Sequence, residues 1–209
     1  MSTSSQKSRK IAERAVKRPR RQRGHERVSA LTDAGAYVLA EKGYDGATMT
    51  EIAERAGASI GSLYQFFPTK EALAAEIHAR LLDELAAMLD ALASETDGAP
   101  VAAVADRLFA GFVAFLEANP VFTVVAERRG IDPAVKKQTR ARLRGRIETL
   151  LGAVEPPVQT TQRAPLAAVI LHLMRVAAML RSDDDKSIRT SAVAQIKEML
   201  TAHLLMACR

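Results

Sequence analysis

Hydrophobic residues recur every three or four positions along most of the chain, which is the spacing of an amphipathic helix. In the first half this pattern predicts helices over residues 27–42, 48–56, 60–66 and 69–92, of which the second and third are short. No stretch shows the strict alternation of apolar and polar residues that predicts a half-buried strand. The sequence therefore predicts an all-α fold.

The second half continues the helical pattern between turns rich in proline, glycine and aspartate. An apolar helix is predicted to start at Pro100, and a cationic helix is predicted over residues 133–154. Two apolar helices follow, over residues 164–181 and 187–206. This order predicts a small N-terminal domain of three helices, followed by a larger helical C-terminal domain.

The positive charge is concentrated at one end of the chain. Residues 1–27 hold ten lysine and arginine residues against two glutamates, so they carry a net charge of +8. The whole chain carries +6, so the remainder carries −2. We predict that residues 1–24 form a disordered basic arm, because they show no apolar periodicity. Such an arm fits a polyanionic partner and a merely solvated tail equally well.

Other residue types narrow the function. Cys208 is the only cysteine, which excludes an intramolecular disulfide and a cysteine-rich zinc site. The four histidines lie far apart in the sequence, so we expect no metal and no cofactor. The longest apolar run, residues 164–180, contains His172 and Arg175 and is short for a bilayer span, which predicts a soluble cytoplasmic protein without a membrane partner.

Residues 48–66 meet the separate physical demands of a helix-turn-helix. Ala53 is small where two short helices cross, and Gly57 tolerates the positive φ of the turn. Thr48 and Ser59 are suited to cap the two helices. The predicted buried face consists of apolar residues on both helices: Ile52, Ala56, Ala58, Leu63 and Phe66. These demands agree at fixed offsets, and they predict a DNA-binding motif.

The same stretch resembles the DNA-binding domain of the TetR family of repressors. The resemblance rests on Gly43-Tyr44, Thr48, Ile52-Ala53, Ala56-Gly57, Ser59-Ile60-Gly61-Ser62-Leu63-Tyr64 and Phe67-Pro68-Thr69-Lys70-Glu71-Ala72-Leu73. It covers about a quarter of the chain and implies a DNA-binding domain over residues 25–70 and a ligand-binding and dimerisation domain over residues 71–209. One departure is Phe66, where many relatives carry a polar residue or histidine.

The predicted recognition helix, residues 60–66, offers short polar and apolar side chains to the major groove. Its candidate contacts are Ser59, Ile60, Gly61, Ser62, Tyr64 and Gln65. Gln65 suits an adenine edge. Gly61 lowers helix stability by about 1 kcal/mol relative to alanine, and we interpret it as a position of close approach to DNA.

Further contacts are expected with the phosphate backbone. The family resemblance implies that Tyr64 and Lys70 touch phosphates, although a core aromatic and a solvated lysine are the respective alternatives. Thr48 offers a hydroxyl and a helix N-terminus to another phosphate. Arg27 and the arm before it would add salt-sensitive attraction and reach a minor groove.

Gly57-Ala58-Ser59-Ile60-Gly61 also matches the G-x-S-x-G nucleophile elbow of hydrolases. That motif requires a strand before the serine, because a strained strand-to-helix turn projects the hydroxyl. A helix precedes Ser59 here, and no Asp or Glu followed by a His at suitable spacing comes after it. We therefore expect no enzymatic activity.

The C-terminal half contains candidates for a ligand pocket. The predicted lining combines apolar side chains with polar anchors: Arg107, Phe109, Phe112, Phe122, His172, Arg175 and Met179. The expected ligand is a small apolar or amphipathic inducer. Aromatic residues at helical spacing equally form plain core, and that alternative stays open.

The last two helices are too apolar for a lone surface pair. Their apolar positions are Leu166, Val169, Ile170, Leu173, Val176, Ala177, Leu180, Ile196, Leu200 and Leu204. The family resemblance implies that these helices pair with their copies in a four-helix homodimer interface. A two-fold dimer would present two recognition helices to a pseudo-palindromic double-stranded operator.

The resulting hypothesis is a dimeric repressor that an inducer releases from its operator, in the bacterial cytoplasm and associated with the nucleoid. The helix from Lys70 would transmit the change between the domains. The alternative is a non-specific architectural protein that coats DNA through its basic arm, which would show no sequence preference.

Overall fold

A computed structural model describes residues 20–126, 133–180 and 185–208. These residues form helices α1 Arg20–Gly46, α2 Met49–Arg55, α3 Ile60–Phe66, α4 Lys70–Glu95, α5 Val101–Ala118, α6 Val121–Ala126, α7 Pro133–Ala153, α8 Thr160–Leu180 and α9 Lys186–Ala207. Within the described ranges there is no strand, and the one β-type pairing is an isolated bridge between Pro100 and Glu155. The predicted all-α fold is confirmed.

Helix α1 begins at Arg20, earlier than the sequence predicted. Residues 20–24, which were assigned to a disordered arm, are therefore helical, and residues 1–19 lie outside the described residues. Arginine, glutamine and glutamate are good helix formers, so they extend the helix without the apolar period on which the prediction depended. The predicted break at Gly43 is present as a kink, because this residue leaves helical geometry with φ 69° and ψ 175°, and helical residues resume after it up to Gly46.

The N-terminal helices enclose a small core to which α4 also contributes. Its fully buried side chains include Leu31, Leu39, Ile52, Leu63 and Leu73. Gly35 lies where α1 crosses α4, because a Cβ at this position would come within 2.9 Å of Leu73 Cδ2. A larger residue at position 35 would therefore require the Leu73 side chain to shift.

Helix α4 joins the two parts of the chain. Near its N-terminal half, Arg80 forms an ion pair with Asp33 on α1. Further along, Asp83 and Asp90 accept hydrogen bonds from Arg142 and Arg146 on α7. These pairs are largely exposed and contribute little stability individually, but they attach α4 to elements on both sides.

Helices α8 and α9 pack against each other, and α9 also packs on α5. Of the apolar positions predicted for the dimer, five are buried within the chain's own core: Leu166, Ile170, Ala177, Leu200 and Leu204. Others remain outside it, and the exposed large apolar side chains of the two helices are Val169, Val176, Met179, Ile188, Met199, Leu205 and Met206. The two helices thus have one apolar face turned inward and a second apolar surface left uncovered.

Helix α8 is also long and apolar enough to span a membrane by length and composition. Only 33% of its most apolar window is buried inside the chain. Pro165 is the sixth residue of this helix, so it lies inside α8 and has no backbone N–H to donate to the carbonyl four residues earlier.

Candidate nucleic-acid interface

Helix α2 begins with a complete capping box. Thr48 Oγ1 accepts a hydrogen bond from Glu51 N at 3.3 Å, and a Glu51 side-chain oxygen accepts one from Thr48 N at 3.1 Å. Glu51 also pairs with Lys42 on α1. The hydrogen bond from Lys42, together with those from Thr48, lowers the pKa of the Glu51 carboxyl. The predicted cap is confirmed, and the pairing of its Glu51 with Lys42 ties α2 to α1.

The turn and the start of α3 have the geometry that the sequence predicted. Gly57 has φ 60°, and no atom lies within 4 Å of the position that a Cβ would occupy, so conformation rather than space favours glycine. Ser59 caps α3, because its Oγ accepts a hydrogen bond from Ser62 N at 3.2 Å. The serine of the apparent nucleophile elbow therefore follows a helix and a turn and serves as an N-cap.

The contact between α2 and α3 differs from the prediction at one residue. Ile52 and Leu63 are buried as expected, Ala56 and Ala58 are partly buried against the same core, and Ala53 is buried where the helices cross. Phe66, however, is 39% exposed, whereas Phe67 is only 6% exposed and occupies the core instead. Helix α3 ends at Phe66, and Phe67 is the extended C-cap, so the helical period no longer determines which side chain points inward.

One face of α3 is open to solvent. Ile60 and Tyr64 are 40% and 49% exposed, and Gly61 and Gln65 lie beside them on the exposed surface. These four positions fall within an arc of roughly 140° on a helix with 3.6 residues per turn. No atom lies within 4 Å of a Cβ built on Gly61. The core alternative for Tyr64 is therefore wrong, and the space outside Gly61 is open.

Lys70 has a different environment from the one predicted. Its Nζ donates hydrogen bonds to the carbonyl oxygens of Tyr44 at 2.7 Å and Ala47 at 2.8 Å, and it lies 4.6 Å from the centre of the Tyr44 ring. The alternative of a solvated lysine is wrong, since two of the three ammonium donors hold the end of α1 and the segment that leads into α2. Sequence spacing carries no signal of these partners, which lie 26 and 23 residues away.

We expect Lys70→Met to lower the free energy of unfolding by about 2 kcal/mol, because two carbonyl groups lose a charged donor while the apolar stem is kept. Urea unfolding followed by circular dichroism measures this change. If Lys70 acted only on phosphate, the free energy of unfolding would be unchanged and the salt dependence of DNA binding would become shallower by about one ion per subunit.

Two further cations lie on the helix-turn-helix or beside it. The Arg55 guanidinium carbon at the end of α2 lies 3.1 Å from the centre of the Tyr37 ring on α1, a cation–π contact that the sequence analysis did not identify. Arg27 is exposed. It lies within α1 rather than at the boundary of an arm.

The predicted ligand residues are only partly brought together. Phe109 and Phe112 are buried, and Phe122 packs edge-on against Phe115 with ring centres 5.3 Å apart. Arg107 is exposed and its Nη1 donates to the carbonyl of Glu95 at 3.4 Å, away from any such pocket.

The placement of His172, Arg175 and Met179 in the same cavity is wrong. All three are exposed on α8, whereas Ile170 and Met174 form its inward face. The sequence placed apolar residues around most of this helix, so its period could not show which side faces the core. The three residues instead share the uncovered apolar surface of α8 and α9.

A cleft of about 450 Å³ lies between α1 and the connection from α5 to α6. It is lined by Ala36, Tyr37, Ala40, Glu41, Ala118, Asn119, Pro120 and Val121. The cleft could not be predicted from the sequence, because its two walls are about 80 residues apart in the chain and meet only in the fold. Within the described residues, no group of three or more His, Cys, Asp or Glu side chains could hold a metal ion.

Comparisons with known proteins agree with this geometry. Residues 31–77 match the family model described as "Bacterial regulatory proteins, tetR family", and residues 100–204 match "Tetracyclin repressor-like, C-terminal domain". The second match alone covers half of the chain. No curated protein sequence matches the chain.

Solved structures show the same fold. A TetR-family transcriptional regulator from Streptomyces coelicolor is 23% identical, covers 87% of this chain and 99% of its own, and has a TM-score of 0.63. A TetR/AcrR-family regulator from Thermobifida fusca YX-ER1 is 16% identical over 84% and 97%, with a TM-score of 0.65. FadR from Bacillus subtilis, solved with stearoyl-CoA, is 14% identical over 83% and 97%, with a TM-score of 0.61.

The family models and the shared fold thus agree with the capped helix-turn-helix of α2 and α3. The chain belongs to the TetR family of bacterial regulatory proteins and is a DNA-binding transcriptional regulator.

Proposed function

We propose that the protein is a dimeric repressor that binds a pseudo-palindromic operator and releases it when a small molecule binds the C-terminal domain. The observation that carries this proposal is the exposed face of α3, with an empty position at Gly61 between Ile60 and Tyr64. A surface with no side chain at its centre permits close approach of the helix to base edges.

Within this proposal, residues 25–70 form the DNA-binding domain and residues 71–209 the ligand-binding and dimerisation domain. Ser59, Ser62 and Gln65 face base edges, and the Tyr64 hydroxyl contacts a phosphate. Thr48 lies at the N-terminus of α2, where the free backbone N–H groups favour a second phosphate. Lys70 retains one ammonium donor for a phosphate, secondary to its role in holding the segment before α2.

The dimer is formed by α8 and α9. Support comes from their uncovered apolar side chains, which a second copy would bury in a two-fold interface. Val169, Val176 and Met179 follow one side of α8 at the spacing of residues that meet a neighbouring helix. The exposed His172 and Arg175 lie beside them, so the residues first considered for the ligand instead belong to this surface.

The ligand is apolar or amphipathic and is bound near the aromatic cluster of Phe109, Phe112, Phe115 and Phe122. His78 on α4 lies 6.2 Å, centre to centre, from the Phe122 ring, so a ligand that separates these rings acts directly on α4. Helix α4 would then shift the two α3 helices out of register with successive major grooves. The stearoyl-CoA held by FadR from Bacillus subtilis supports an apolar ligand class for this fold.

Transcription from the promoter next to the operator tests the proposal. Deletion of the coding sequence should raise expression from that promoter, and an inducer should do the same in the wild type. Lower expression after deletion would indicate an activator instead. An operator affinity that no apolar or amphipathic compound changes would remove the inducer from the mechanism.

We place the protein in the bacterial cytoplasm, at the nucleoid. The architectural alternative uses the same basic N-terminal residues but predicts equal affinity for all duplexes. Membership of the TetR family favours sequence-specific regulation over non-specific coating of DNA.

A further inference from the structure

The exposed face of α3 has an unusual chemical composition for a DNA reader. The helix contains no Lys, Arg, Asp or Glu. Its outward side chains are an aliphatic group at Ile60, an aromatic ring at Tyr64 and an uncharged amide at Gln65. Because arginine and lysine are the side chains that most often pair with the O6 and N7 acceptors of guanine, this helix lacks the usual groups for that contact.

The lysine and arginine residues within positions 42–70 make contacts inside the domain. Lys42 pairs with Glu51, Arg55 lies over the Tyr37 ring, and Lys70 donates to two backbone carbonyls. Each would have to give up a contact within the domain in order to reach a base. The recognition surface is therefore neutral where it meets the groove, although the chain as a whole is basic.

We infer that this face reads A·T base pairs, with the Gln65 amide on the N6 and N7 edge of adenine and the Ile60 side chain on the C5-methyl group of thymine. The amide both accepts from N6 and donates to N7, and the methyl group offers an apolar contact that no other base gives in the major groove. Gly61, between them in the sequence, lets both reach the floor of the groove. This inference rests on the proposed function.

The test uses the full-length protein and a duplex that it selects from a random-sequence pool. In that duplex, each thymine is replaced by deoxyuridine, which lacks the methyl group, and each adenine by 7-deazaadenine, which lacks N7. Wild-type affinity should fall about fourfold for each contacted methyl group that is lost and about tenfold for the contacted adenine. Other positions should be unaffected.

Substitutions of the exposed residues Ile60 and Gln65 show which side chain is responsible for each effect. Ile60→Ala should remove the sensitivity to deoxyuridine and keep the sensitivity to 7-deazaadenine, whereas Gln65→Ala should do the reverse. Ile60→Val, which keeps a branched apolar side chain, should keep both. The inference is overturned if the selected site shows neither sensitivity, or if a sensitivity survives the matching substitution. In either case the protein would still be a sequence-specific regulator. A pool from which no sequence is enriched overturns the proposed function as well.

Discussion

Gly61→Leu should strongly weaken operator binding while making the folded protein more stable. The position is inside α3 and a Cβ there meets nothing within 4 Å, so the free protein accommodates a side chain. Leucine is a better helix former than glycine, which adds up to about 1 kcal/mol to the free energy of unfolding. When the protein meets DNA, the leucine side chain at position 61 should hold α3 away from the major groove.

The expected loss of operator affinity for Gly61→Leu is about 100-fold or more, because both subunits lose base contacts worth about 1–3 kcal/mol each. Fluorescence anisotropy with an operator duplex, and urea unfolding, measure the two effects. Gly145→Leu is a matched control, since Gly145 also lies within a helix, α7, with nothing near its Cβ position. Gly145→Leu should raise the free energy of unfolding and leave operator affinity unchanged. If Gly61→Leu also left operator affinity unchanged, α3 would not enter the groove.

Val176→Asp should convert the dimer into a folded monomer and weaken operator binding by about three orders of magnitude, because the second recognition helix no longer binds as part of the same molecule. Val176 is 44% exposed on α8, so the charge does not enter the chain's own core. In a dimer interface, however, two aspartates related by the two-fold axis would be desolvated close together.

Sedimentation velocity gives the oligomeric state of the Val176→Asp protein, and circular dichroism shows whether it is folded. Val169→Asp, at a second exposed position of α8, should have the same effect. Ala91→Asp on the exposed side of α4 is the control and should remain dimeric. A Val176→Asp protein that stays dimeric with wild-type affinity would exclude α8 from the interface.

Local chemistry determined what could be predicted from the sequence. The caps at Thr48, Ser59 and Thr69 each depend on a hydroxyl and a backbone N–H three residues away, so their spacing is visible in the sequence. The positive φ of Gly57 follows from the same short stretch. For these reasons the helix-turn-helix was predicted at nearly every residue.

The remaining features depend on partners that are distant in the sequence. The two carbonyls that hold Lys70 and the ring beneath Arg55 are brought into place only by tertiary packing. Helix α8 is apolar on two sides, and periodicity cannot separate the side that fills the chain's own core from the side that stays exposed. His172 was therefore assigned to a pocket although it lies on the outer surface.

The most direct test of the account is a competition titration of the purified protein at near-physiological salt, with its own upstream intergenic DNA against a scrambled duplex of equal length and composition. A sequence-specific regulator should prefer the upstream DNA by about a thousandfold or more. Equal affinity for both duplexes, with Gly61→Leu binding as tightly as the wild type, would contradict it, because binding would then be an electrostatic property of the basic residues alone.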